Sequence, residues 1–156
     1  LIGSFKEDFQ GLYQDGIYLG FAVTKIMKRE LILKNHLLFI KGRHFEDIPW
    51  SFSLVKHIKN YAIYQNCFYM YRRERKGSIS SVATSKNQVS LFQNLSDVIT
   101  EIENMKLNNE LLPGFKKYVD DIYEYVITCY ELLPENEKVD FLNLKEKYEK
   151  EFNALW

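Results

Sequence analysis

The apolar positions of this chain change their period near residue 80. Beyond it, Leu91/Phe92, Leu95, Val98/Ile99, Ile102 and Met105 recur every three or four residues. Leu111, Phe115, Tyr118/Val119, Ile122, Val126, Tyr130 and Leu133 do the same, and so do Phe141/Leu142, Lys145, Tyr148, Phe152 and Leu155. A helix returns to the same face every 3.6 residues, so this repeat predicts amphipathic helices. Three are expected over about 84–156, with breaks at Asn108-Asn109 and Pro134-Glu135-Asn136.

Before residue 80 the pattern is mixed. Gly3, Gly11, Asp15-Gly16 and Gly20 stand among aromatics and predict a loop-rich opening over residues 1–20. Residues 21–27 are rich in β-branched side chains and predict a strand. Residues 29–38 suit a short helix ending near Asn35-His36. Asp47 is a good N-cap, Pro49 fits the first turn of a helix, and Ile48, Phe52, Leu54, Val55 and Ile58 supply its apolar stripe. Residues 61–71 predict one or two strands, split near Gln65-Asn66. The expected fold is an α/β piece over 1–82 followed by a three-helix accessory region over 83–156, mainly α overall.

Composition narrows the class. Apolar residues make up 46% of 156, enough for a real core and too many for disorder. Lysine plus arginine equals aspartate plus glutamate, 21 each, so net charge supports neither a nucleic-acid nor a membrane-surface role. Cys67 and Cys129 are expected as reduced thiols, because a domain of this size needs no staple. The sequence contains no signal peptide and no apolar run of about 18 residues. It begins abruptly at Leu1-Ile2-Gly3-Ser4, as though cut from a longer polypeptide.

Two segments carry candidate chemistry. The first is His44-Phe45-Glu46-Asp47-Ile48-Pro49-Trp50. Unpaired amides at a helix start favour negative charge, so a carboxylate there stays ionised and can accept a proton. One acid suffices for a cap; two leave one over for chemistry. A plain capping role remains the competing reading. Trp50 is expected on the same helical side as Asp47, either as a core residue or with its ring as a stacking face for a sugar. His44 is a polar neighbour of the base. The second segment is Tyr71-Arg72-Arg73-Glu74-Arg75-Lys76-Gly77-Ser78. Arginine forks and a glycine-serine turn match phosphate oxygens, although a solvated basic loop reads equally well. Nothing has the spacing of a zinc site or a Walker-type phosphate loop.

In order and spacing, Lys25-Ile26, Lys28-Arg29, Glu46-Asp47, Tyr69-Met70-Tyr71-Arg72 and Arg75-Lys76-Gly77-Ser78-Ile79 resemble the family 2 glycosyltransferases of bacterial capsule and surface-polysaccharide synthesis. The resemblance covers about residues 20–82. It implies the C-terminal part of a GT-A, Rossmann-like domain that inverts the anomeric centre. By motif position Asp47 is then the general base with Glu46 adjacent, and Arg72, Arg75 and Ser78 lie near the donor diphosphate. Trp50 and His44, as neighbours of that base, are expected to contact the acceptor. The implied ligands are a nucleotide-sugar and a glycan or lipid-linked acceptor, with no nucleic acid. Homodimerisation and a cytoplasmic place, peripheral at the inner membrane face, are further expectations. The family also uses a divalent cation, Mg or Mn, held by an Asp-x-Asp motif. No Asp-x-Asp occurs in this sequence, so the cation and the nucleotide-binding half are expected only in a fuller enzyme. The alternative is a non-catalytic helical module that mediates oligomer or partner contacts.

Overall fold

The computed structural model describes the chain except residues 1, 19, 65, 67, 68, 73, 74, 76, 80–82, 106–111 and 156. The elements, in order, are β1 (Ile2–Ser4), α1 (Phe5–Gln14), a 3-10 turn at Ala22–Thr24, α2 (Arg29–Lys34), α3 (Asp47–Val55), β2 (Asn60–Ala62), α4 (Ser85–Asn104), α5 (Leu112–Glu131), α6 (Glu135–Lys138) and α7 (Leu142–Asn153). The protein is mainly helical. Among the described residues the sheet has two strands, antiparallel, with Ile2 opposite Ala62 and Ser4 opposite Asn60.

The three predicted helices of the second half form, and the third is divided. Thr84 caps α4, its hydroxyl accepting from the Asn87 amide. Leu91, Phe92, Leu95, Val98, Ile99 and Ile102 are buried along one face, as their spacing requires. Past Pro134, α6 and a 3-10 turn at Val139–Phe141 precede α7, whose inner face carries Tyr148.

The first half departs from expectation. Residues 5–14 form a helix rather than a loop. Phe5, Phe9 and Leu12 follow the helical period and are all buried, while Gly11 faces open space and interrupts nothing. Residues 21–27 form no strand; Ala22–Thr24 make one 3-10 turn. β-branching favours a strand only where a neighbouring strand can pair, and here the segment packs on a helix instead. Among the described residues of 61–71, only Tyr61 and Ala62 belong to a strand, the end of β2. Cys67 lies outside the described residues, and Cys129 is a half-buried free thiol.

One hydrophobic cluster joins Phe5, Phe9 and Phe52 to Leu95, Val119 and Val126, so both halves share a core. Phe9 lies 4.8 Å from Phe115 ring to ring. Gly114 permits this approach, because a Cβ there would come within 3.0 Å of the Gln10 Cα. A smaller cluster of Leu37, Trp50 and Leu54 packs the 22–37 segment onto α3. The first turn of α3 is thereby held between α4 on one side and residues 18–25 on the other.

Candidate functional site

The chain enters α3 through a clamped loop. Asn94, fully buried on α4, donates from Nδ2 to the carbonyls of His44 (2.9 Å) and Phe45 (2.8 Å). Its Oδ1 accepts from Arg43, whose guanidinium also pairs with Asp97. Phe45 takes φ +56°, a conformation costly for a bulky side chain. Asn94 holds its carbonyl, and its ring meets Tyr125 edge-on at 6.2 Å.

His44 belongs to the same clamp. Its amide donates to Ser90 Oγ at 3.2 Å, and Nδ1 lies 2.6 Å from Asn87 Oδ1. Asn87 Nδ2 donates to the Ile79 carbonyl at 2.7 Å. Its Oδ1 is therefore the acceptor, and His44 Nδ1 carries the proton. Asn87 thus ties the two sequence segments together, holding His44 with one atom and the end of the basic turn with the other. The turn itself closes through Ser78 N donating to Arg75 O at 3.0 Å, with Gly77 at φ +78°. Arg72 and Arg75 are exposed and Ser78 is half-buried. Arg73 and Lys76 lie outside the described residues.

The two acids at the start of α3 point to different places. Glu46 lines a cleft of about 460 Å³ between α3, α4 and residues 36–40, with Trp50, Ser53, Asp97 and Glu101. That volume lies in the range of small-ligand sites, about 300–1,000 Å³. Asp97 is paired with Arg43 and Glu101 with Lys56, while Glu46 has no ion pair among the described residues. Trp50 is only 8% exposed, donates from Nε1 to the Leu37 carbonyl at 3.1 Å, and packs on Phe39 at 5.1 Å. The expectation that Trp50 shares a side with Asp47 gives way to a different pairing. Trp50 shares the cleft with Glu46, four residues before it, and Asp47 is not part of that lining.

Asp47 looks toward residues 18–25 and α5. Burial, and then the adjacent Glu46, raise its proton affinity above the ordinary carboxylate value; amide hydrogen bonds, including one from Ala22, and the Lys25 charge partly offset this. Burial also lowers the Lys25 pKa, to about 8, against the pull of Asp47. Lys25 Nζ donates to the Phe21 carbonyl at 2.8 Å and lies 4.7 Å from the centre of the Tyr18 ring. Tyr118 and Tyr125 approach from α5. Burial raises both phenols, and the Asp47 charge adds to each. The Tyr118 hydroxyl is buried without a hydrogen-bond partner among the described residues. Lys25, Tyr118 and Tyr125 were not singled out as site residues from sequence. They lie 22, 71 and 78 positions from Asp47, and no local pattern connects them.

No protein family, no curated protein and no solved structure matches this chain.

What the arrangement can do follows from its two sides. One acid faces an open cleft and has no ion pair among the described residues. The other is half-buried with raised proton affinity, beside an amine whose proton is loosened. Such paired perturbation is a mark of proton-transfer sites, though ion pairs that only hold structure show it too. Among the described residues, no group of three or more His, Cys, Asp or Glu side chains is placed to hold a metal ion.

The Lys25 shift has a measurable consequence. A folded pKa near 8, below the ordinary 10.5, means that the native protein releases this proton before the unfolded chain does. Stability therefore rises as pH climbs through that window, and below it the full cost of burying the charge is present. Lys25→Met is expected to remove that rise. Denaturant titrations at about pH 7 and about pH 9 read the difference, with the parent gaining on the variant at the higher pH.

Proposed function

We propose that this chain is the C-terminal part of an inverting, GT-A type glycosyltransferase. In this reading it moves a sugar from a nucleotide-sugar to a glycan or lipid-linked acceptor. The start of α3 supplies the base, and the donor-binding half is supplied by a preceding segment. The observation that carries this reading is the Glu46-Asp47 pair, held by α4 at the mouth of a cleft. One carboxylate is open to a ligand there, and the other has raised proton affinity.

In the proposed reaction the acceptor hydroxyl extends past the cleft mouth to the other side of the helix start, because Asp47 faces residues 18–25 rather than the cleft. Asp47 takes the proton of that hydroxyl as the hydroxyl oxygen attacks the anomeric carbon. The bond from that carbon to the diphosphate oxygen breaks, and the nucleoside diphosphate leaves with the electron pair. Glu46 and Trp50 bound the acceptor cleft. His44 acts as a positioning residue, because its ring and backbone are already committed to α4. The exposed Arg72 and Arg75 and the half-buried Ser78 would meet the diphosphate once the donor half is present. The cation of the resembled family finds no donor set among the described residues, so no step passes through it here.

The test is a transfer assay on the longer protein with Glu46→Gln and Asp47→Asn combined. Transfer is expected to vanish while donor binding persists. Undiminished transfer would rule out a base at this helix start, and with it the proposed mechanism.

A further inference from the structure

We propose that residues 21–41 form a docking surface for an anionic lipid bilayer. The inference does not depend on the glycosyl-transfer reading. It starts from the way this segment lies on α3. Ala22, Met27, Leu31, Ile32 and Leu37 turn inward onto Trp50 and Leu54. Phe21, Val23, Ile26 and Leu33 turn outward and stay exposed, Ile26 by 79% and Phe21 by 59%. A run of large apolar side chains left facing water is a usual mark of an interaction surface.

Charge decides what kind of surface covers it. Lys28, Arg29, Lys34 and Lys41 are exposed among these apolar residues, with Glu30 the single exposed acid of the segment, and these four cations form no ion pair within the described residues. The second half is built differently. Lys116, Lys117, Lys138, Lys145 and Lys147 each pair with a nearby acid. The neutral total hides a separation: residues 1–82 hold 13 basic and 7 acidic side chains, and residues 83–156 hold 8 and 14. Unpaired cations around exposed aromatic and aliphatic residues are what an anionic lipid headgroup region attracts and its acyl boundary buries. The opposite polarity of the helical half turns that half away from the same field. A second exposed apolar pair, Leu132 and Val139, lies among Glu131, Glu135 and Asp140 and has the wrong sign for such a surface. No helix among the described residues is long and apolar enough to cross a membrane, so the surface lies on the bilayer.

The experiment is co-sedimentation of the 156-residue chain with vesicles of phosphatidylcholine alone, or with about 30 mol % phosphatidylglycerol, at about 0.1 M salt. Binding to the anionic vesicles is expected to exceed binding to the neutral ones at least about tenfold, and to weaken as salt rises. Phe21→Glu with Ile26→Glu, and separately Lys28→Glu with Arg29→Glu, are each expected to lower it at least about tenfold with the circular dichroism spectrum unchanged. Leu132→Glu with Val139→Glu is expected to leave it intact. Equal binding to both vesicles, no binding to either, or loss only in the Leu132/Val139 variant overturns the proposal. So does a dimer in sedimentation equilibrium that Ile26→Glu dissolves, because the surface would then belong to a second copy.

Discussion

Asp47→Asn in the complete enzyme is expected to lower turnover by about 10²–10⁴-fold, the usual contribution of a positioned general base. The substitution keeps the shape of the side chain and removes only its capacity to take a proton. Its amide oxygen can still accept from Ala22, so the helix start should persist and donor binding should change little. Glu46→Gln is expected to act differently. Glu46 lines the cleft and has no partner among the described residues, so its loss should appear mainly as weaker acceptor binding, a higher KM with kcat nearly kept. If Glu46→Gln removes turnover and Asp47→Asn spares it, the two roles are exchanged and the cleft-facing acid is the base.

The pH profile separates the roles a second time. Burial raises the Asp47 pKa, so the acid limb of kcat/KM should lie above the ordinary carboxylate range and vanish in Asp47→Asn. Stability carries the same signature with a defined sign. A folded pKa above the unfolded one means that the native state holds the proton longer. Stability then falls as pH rises from the ordinary value, 3.8, through the folded pKa. The Asn variant should lack that fall.

Asn94→Leu is expected to destabilise the protein by about 3 kcal/mol, despite the similar volume of the new side chain. Two loop carbonyls lose their donor, and a group so orphaned in the interior costs about 1–3 kcal/mol. The Arg43 guanidinium also loses one of its two acceptors, and the strained Phe45 loses the bond that holds its carbonyl. Gln93→Ala, one residue away and exposed, should stay within about 0.5 kcal/mol. Urea midpoints with an unchanged m-value check both. Equal midpoints for Asn94→Leu and the parent would remove the clamp from the account of how α3 is placed.

The polar stripe behind that prediction was visible along the chain. Asn87, Ser90, Asn94, Asp97 and Glu101 recur at helical spacing beside the apolar stripe of α4. Apolar periodicity alone assigns such residues to solvent. Here Asn87, Ser90 and Asn94 are buried, because the 43–46 loop lies across them and offers backbone groups to pair. The helix at Phe5–Gln14 was legible in the same way. Phe5, Phe9 and Leu12 have the right spacing, while the glycines around them favour turns locally. The helix start near Asp47 was legible from Pro49 and the apolar run that follows, but Asp47 is the first helical residue and not the N-cap: Glu46 holds that position, and no side-chain hydrogen bond caps the helix.

By itself the sequence determined what is local: the long amphipathic helices, the start of α3, and the acids and basic turn that stand there. Each follows from backbone geometry and spacing over a few residues. Tertiary structure alone decided which acid faces which surroundings. Residues 46 and 50 lie one helical turn apart and share the cleft, whereas residues 47 and 51 look toward residues 18–25. It also decided that Lys25, Tyr118 and Tyr125 surround Asp47, and that Asn87 joins two segments 35 residues apart. Proton affinity depends on burial and on charges several ångströms away, and those neighbours come together only when distant parts of the chain pack.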